Sequence, residues 1–161
     1  MPSLPGMSPR VTRSTLVPAR PDEVFGLVSD LPGMGRFSPE AVGGSWAGGR
    51  TEPAVGAVFR GHNAQGWRRW ATRSTVTVCE PGRAFAFEVS SLGLPVAEWR
   101  YELAPEGDGT RLTESWVDRR GRLLTVAGGL LTGVQDREEY AALSIETTLE
   151  RVRAAAASAR A

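Results

Sequence analysis

The chain has 161 residues, is 41% hydrophobic and 23% charged, and carries a formal net charge of +1. That length fits one domain able to bury most of its apolar surface, and that composition is too apolar for a disordered chain. A net charge near zero gives no sequence-wide attraction to nucleic acid or to an anionic membrane.

All 19 basic residues are arginine. With the abundance of Ala, Gly, Pro and Val, this reads as the codon bias of a GC-rich coding sequence rather than as a set of phosphate ligands. Cys79 is the sole cysteine, which excludes an internal disulfide, a Cys-based zinc site and a CxxC redox pair. His62 is the sole histidine and disfavours a His-rich metal site, so neither a metal nor a cofactor is expected. No stretch approaches the ~20 apolar residues of a membrane span. Met1 to Pro9 has Pro and Gly where a secretory signal needs a charged region and an apolar core. The expectation is a cytoplasmic protein with no integral membrane association and no nucleic-acid partner.

Residues 1–9 read as a tail, 10–157 as one domain and 158–161 as a second tail. Arg10 to Val17 is rich in β-branched residues and predicts a first strand, ended by Pro18. Pro21-Asp22-Glu23 opens a helix: proline costs little in the first turn, and carboxylates suit the positive end of the dipole. Val24, Phe25 and Val28 form its apolar face, Leu31-Pro32 stops it, and a short second helix is expected over Gly33–Phe37.

The texture then changes from period 3.6 to period 2. Strands are predicted at Val42–Trp46, Val55–Asn63, Trp67–Glu80, Ala84–Val89, Val96–Leu103 and Arg111–Val117. Ala64-Gln65-Gly66, Pro81-Gly82-Arg83 and Gly107-Asp108-Gly109 punctuate them as hairpins. Leu123–Leu131, with Gly128-Gly129 inside it, reads either as a lid or as a kinked linker. From Val134 to about Ala157 there is no Gly or Pro, and Val134, Glu138, Ala141, Ile145, Leu149, Val152 and Ala156 share one side of a helix. Such a helix is roughly 36 Å long and crosses a whole small sheet.

Strand alternation by itself assigns residues to faces. Phe59, Gly61 and Asn63 oppose Val58, Arg60 and His62, so the first set faces in and His62 faces out. Trp70, Thr72, Ser74, Val76 and Val78 face in on the next strand, followed by Phe85, Phe87 and Val89. Trp99, Tyr101 and Leu103, then Leu112, Glu114 and Trp116, complete the inner wall. A bulge would invert some of these assignments. The wall is mostly aromatic with isolated polar groups, which suits a ligand cavity as well as a plain core. Glu114 either pairs with an arginine turned inward, Arg60 or Arg100, or sits unpaired with its pKa raised by desolvation.

The order strand, two helices, six strands, long helix carries a set of short motifs. They include Arg13-Ser14, Pro21-Asp22-Glu23-Val24-Phe25 with Asp30, Ser38-Pro39-Glu40 with Trp46, and Gly56 to Asn63. Trp70-Ala71-Thr72 with Val76, Phe85-Ala86-Phe87, Trp99-Arg100-Tyr101 and Gly109 to Glu114 complete the set. In this order and spacing the chain resembles the START-like (SRPBCC) superfamily, most closely its polyketide cyclase/dehydrase-like branch in actinobacteria. The resemblance implies an α+β helix-grip fold: a seven-stranded curved antiparallel sheet wrapped around the C-terminal helix, enclosing a cavity.

The function expected is the binding of a small hydrophobic, lipid- or polyketide-like molecule, as carrier or sensor, by a monomer or homodimer. The alternative is a cofactor-independent cyclase or dehydratase. In that reading Glu114, Tyr101 and Asn63 supply acid/base and carbonyl-orienting groups. An interaction module with a vestigial cavity is a third reading. The candidate ligand-binding set is Phe59, Gly61, Asn63, Trp70, Thr72, Phe85, Phe87, Trp99, Tyr101, Glu114 and Trp116.

Overall fold

A computed structural model describes residues 11–121 and 136–161. Strand β1 (Val11–Val17) leads into helix α1 (Pro21–Ser29) and a 3-10 helix (Leu31–Arg36). Strands β2 (Ala41–Trp46), β3 (Val58–Gln65), β4 (Arg68–Glu80), β5 (Ala84–Ser91), β6 (Leu94–Glu106) and β7 (Gly109–Asp118) follow, and helix α2 (Arg137–Ala159) comes last. The strands form one antiparallel sheet in the order β1-β7-β6-β5-β4-β3-β2. This is the helix-grip arrangement. Leu123–Leu131 and Val134 lie outside the described residues.

Local chemistry explains the first helices. Pro21 sits in the first turn of α1, and the Glu23 carboxylate accepts the Arg20 N–H at 2.9 Å, satisfying a donor the helix leaves unpaired. Leu31-Pro32 does stop α1, but the same proline starts the 3-10 turn two residues before the expected Gly33. The Asp30 carboxylate caps that turn through the Gly33 N–H at 3.2 Å.

Two strand expectations are corrected. Strand β3 begins at Val58 rather than Val55, because Gly56 adopts φ +84° in a turn closed by the Ala57 N–H on the Ala54 carbonyl, while the Gly56 N–H bonds the Val76 carbonyl of β4. Strand β4 carries a bulge between Val76 and Val78. Beyond it Cys79, not Val78, stands opposite Phe85 and packs on the core, while Val78 pairs with Ala86 on the other face. One extra residue inverts the alternation.

Helix α2 buries Ala141, Ser144, Ile145, Thr148, Leu149, Val152 and Ala156. Asp136 caps it through the Glu139 N–H at 3.0 Å. Glu138, expected on the buried stripe, is exposed in the first turn, where its charge suits the helix dipole. The helix packs chiefly on β1 and β7. Ile145 is fully buried and Leu149 nearly so, whereas Leu143 is 57% exposed. Truncating Ile145 or Leu149 to Ala should cost ~2–5 kcal/mol, and Leu143→Ala under about 0.5 kcal/mol, as read by chemical denaturation.

Candidate functional site

Because α2 covers mainly the β1–β7 side, the concave face of β3 to β6 is left as the wall of a cavity of about 190 Å³. Phe59, Trp70, Phe87, Trp99 and Trp116 line it, and Asn63, Thr72, Ser74, Tyr101 and Glu114 add polar atoms. The fold therefore brings nine of the eleven predicted ligand-site residues to one cavity. Phe85 and Gly61 are the two exceptions. Phe85 is fully buried beneath α1, with its ring 6.1 Å from Phe25, so it belongs to the core rather than to the cavity wall. Gly61 lies behind the wall: a Cβ there would meet the Thr72 hydroxyl at 3.1 Å and the Phe59 ring at 3.4 Å.

Phe59 is fixed from two sides. Trp46 packs edge-on against it at 5.4 Å, and Gly44, at φ +148°, brings the β2 backbone so close that a Cβ would collide with the Arg60 carbonyl. Only glycine permits that approach. The Asn63 amide donates to the Thr72 hydroxyl at 3.0 Å, joining β3 to β4 across the wall. Its partner is thus a side chain rather than a backbone group at the strand end.

Deepest in the wall are Tyr101 and Glu114, directly opposed on β6 and β7. The Tyr101 hydroxyl donates to Glu114 Oε1 at 2.9 Å, while Oε2 is buried with no protein partner among the described residues. Neither Arg60 nor Arg100 reaches it. Arg60 is exposed, and Arg100 pairs with Glu102 at 3.2 Å. Arg13, opposite Glu114 on β1, turns its guanidinium to Glu146 at 3.4 Å. Burial without a cation raises the Glu114 pKa to about 8, against which the Tyr101 hydrogen bond works only in part. The same burial, with Glu114 beside it, pushes the Tyr101 phenol well above its ordinary value. At neutral pH the cavity presents an uncharged acid.

Sequence reasoning missed several lining residues. Ser144 and Thr148 of α2 face the cavity, and their spacing from Ala141 and Ile145 places them on the buried side, a signal that a pattern of apolar residues alone does not register. Leu31 and Met34 of the 3-10 helix also line it, as do Glu40, Arg120 and Arg137, whose positions no local pattern reveals. Arg137 Nη1 donates to both Glu40 carboxylate oxygens, at 3.0 and 3.2 Å, and the guanidinium lies over the rings of Trp70 and Tyr140 at 5.7 and 5.6 Å. Burial raises the Glu40 pKa, and the Arg137 charge offsets part of that rise. Arg120 forks onto Asp118 at 2.9 and 2.8 Å. Both arginines bring their own carboxylates.

The buried acid gives a pH signature. Glu114 keeps its proton in the folded state up to about pH 8, whereas the unfolded chain releases it near the ordinary 4.5. Between those values the unfolded state binds fewer protons, so this group's contribution falls by about 1.4 kcal/mol per pH unit as pH rises. Glu114→Gln should remove that slope. Its stability relative to the unmodified protein should rise steadily from pH 5 to 8, measured by denaturation at each pH; parallel curves would show that Glu114 does not titrate in this way.

The chain matches the family described as polyketide cyclase / dehydrase and lipid transport over residues 8–157. Among solved structures it is similar to a polyketide cyclase-like protein of Corynebacterium glutamicum, at 29% identity over 93% of this chain and 91% of that one, with a TM-score of 0.62. A protein of Chromobacterium violaceum is 15% identical over 91% of this chain and 95% of its own, with a TM-score of 0.68. The di-domain ARO/CYC StfQ of the steffimycin biosynthetic pathway is 15% identical, with a TM-score of 0.72 over 93% of this chain and 51% of that one. These last two share the fold. No curated protein sequence matches the chain. The fold, the cavity and a match spanning almost every residue agree: the chain belongs to the polyketide cyclase / dehydrase and lipid transport family.

Proposed function

We propose that the protein binds a small, largely apolar molecule, lipid- or polyketide-like, in the cavity between the sheet and α2, as a carrier or sensor. The observation that carries this reading is the composition of the wall. Aromatic rings from β3, β4, β5, β6 and β7 supply area for hydrophobic contact, and although polar side chains stand between them, most of the surface turned to the cavity is apolar. An apolar cavity of about 150 Å³ already accepts benzene, so about 190 Å³ admits a slightly larger ring system.

A second reading, a cofactor-independent cyclase or dehydratase, draws on the Tyr101–Glu114 pair. An acid that holds its proton at neutral pH can donate it to a carbonyl oxygen and recover it from carbon as an enol forms. Asn63 is the weaker participant, since its amide is already engaged with Thr72. The two readings share a cavity and differ in what Glu114 does there.

The small neutral dye 1-aminonaphthalene should bind with enhanced emission. Ser74→Phe, which fills the cavity from β4, should weaken it roughly tenfold or more while the melting temperature shows the fold retained. Undiminished dye binding in that variant would place the site elsewhere. Glu114→Gln separates the readings: a carrier should bind the dye within about twofold of the unmodified protein, since a neutral amide is no harder to bury than a protonated acid. An enzyme should lose most of its turnover of aromatic polyketone substrates in the same variant.

A further inference from the structure

The net charge of +1 conceals a sorted surface. On the face of the sheet turned away from α2, Arg60 of β3 and Arg73 of β4 stand directly opposite one another, both exposed. His62 and Arg69 lie on the same face, whereas Arg68, which begins β4 at the hairpin end beside Trp67, alternates to the opposite face. No carboxylate among the described residues forms an ion pair with Arg60, Arg68, Arg69 or Arg73. Like charges set directly across a strand pair cost stability, and no ion pair among the described residues offsets that cost.

Two apolar tips flank this patch. Trp67, in the β3–β4 turn, is 81% exposed, with the Arg68 guanidinium 4.6 Å from its ring. Leu92, in the β5–β6 turn, is 93% exposed, and Leu94 beside it is 47% exposed. Because Gln65 pairs with Arg68 and Ser91 with Leu94, and Arg73 with Ser90, both turns project from the same end of the sheet. Leu92 is the sole non-glycine residue with positive φ among those described, at +53°, followed by Gly93 at +77°. Two-residue turns of that geometry favour Asn-Gly, so a leucine there is both strained and displayed to solvent. Ser91 and Val96, flanking that turn, and Asn63 and Trp70, flanking the other, line the cavity.

From this juxtaposition we infer that the β3–β4 ribbon and the two hairpin tips dock the protein on an anionic phospholipid surface, with Arg60, Arg68, Arg69 and Arg73 on the phosphates and Trp67, Leu92 and Leu94 in the interface. Tryptophan rings settle at headgroup depth, and arginines near an anionic leaflet each add attraction. Exposed aliphatic tips have no equivalent use on a nucleic acid, whose recognition draws on stacking and phosphate contacts. The docked end is the one where the cavity wall reaches the turns, so an apolar ligand would pass between bilayer and cavity with little exposure to water. That last step rests on the proposed function, whereas the docking itself does not.

The test is co-sedimentation of the full chain with vesicles of phosphatidylcholine alone and of phosphatidylcholine with about one quarter phosphatidylglycerol. The protein should sediment with the second and not the first, and rising salt should release it. Arg60→Ser with Arg73→Ser should weaken binding about 25-fold, at about fivefold per arginine. The melting temperature should stay the same or rise, because a like-charge pair has been removed. Leu92→Asn, which suits the turn better than leucine, should likewise keep or raise stability while weakening vesicle binding, as should Trp67→Ser with the fold intact.

Equal sedimentation with both vesicle types, sedimentation with neither, or full binding by the double arginine variant would overturn the inference. So would retention on heparin or duplex DNA that depends on the arginines while Trp67→Ser and Leu92→Asn sediment with the anionic vesicles as the unmodified protein does, since that outcome describes a polyanion site. Dye binding to the cavity in solution is read independently of all these results.

Discussion

One mismatch governs this molecule: the concave face of a seven-stranded sheet is wider than a single helix can cover. Helix α2 has a narrow buried stripe, and it spends Ile145, Leu149 and Val152 chiefly over β1 and β7. Toward the middle of the sheet the central turns of the same helix offer Ser144 and Thr148, whose side chains are too short to reach the wall opposite. Only its first turn reaches across, through Arg137 over Trp70 and Tyr140 to Gln65. The space that remains is bounded by large aromatic residues that cannot collapse into it without leaving their rotamers. A cavity is what this geometry leaves.

The same mismatch explains the state of Glu114. Its position on β7 puts it beneath the helix and out of contact with solvent, and the arginines opposite it on β1 and along the cavity are committed elsewhere. Arg13 turns to Glu146, Arg120 to Asp118 and Arg137 to Glu40. An isolated carboxylate is far costlier to bury than a neutral acid, so the group keeps its proton, and the Tyr101 hydroxyl supplies one hydrogen bond to the acid form. The arginines that line the cavity arrive already paired. Its interior is therefore nearly uncharged although the chain has 19 basic residues, and that is the electrostatic condition an apolar ligand requires.

Charge is segregated by face more than by sequence. Carboxylate partners accompany the arginines that line the cavity and those at the ends of the helices, whereas the outward face of the β3–β4 ribbon keeps several without any ion pair among the described residues. Alternation is the cause: residues two apart on a strand share a face, so Arg60 with His62, and Arg69 with Arg73, gather on one side of the ribbon. Glu88 and Glu98 stand nearby on β5 and β6, but both serve Arg119.

The sequence by itself determined the order of elements, most strand positions and the face of most strand residues. Periods of 2 and 3.6 are local properties, and Pro21, Pro32 and the hairpin glycines act on their own stretch of chain. It also placed Tyr101 and Glu114 on one buried face, since each needed only its own strand's alternation. What it left undecided depended on partners distant in the chain. The bulge that turns Val78 out and Cys79 in arises from the pairing of β4 with β5. Phe85 faces inward as its pattern requires, yet whether inward means cavity or core is settled by α1, which lays Phe25 against it. The pairing of Arg137 with Glu40 spans 97 residues and has no local signal. Only the tertiary structure could decide which buried groups meet a partner and which, like Glu114 Oε2, meet none among the described residues, because desolvation is a property of everything packed around an atom.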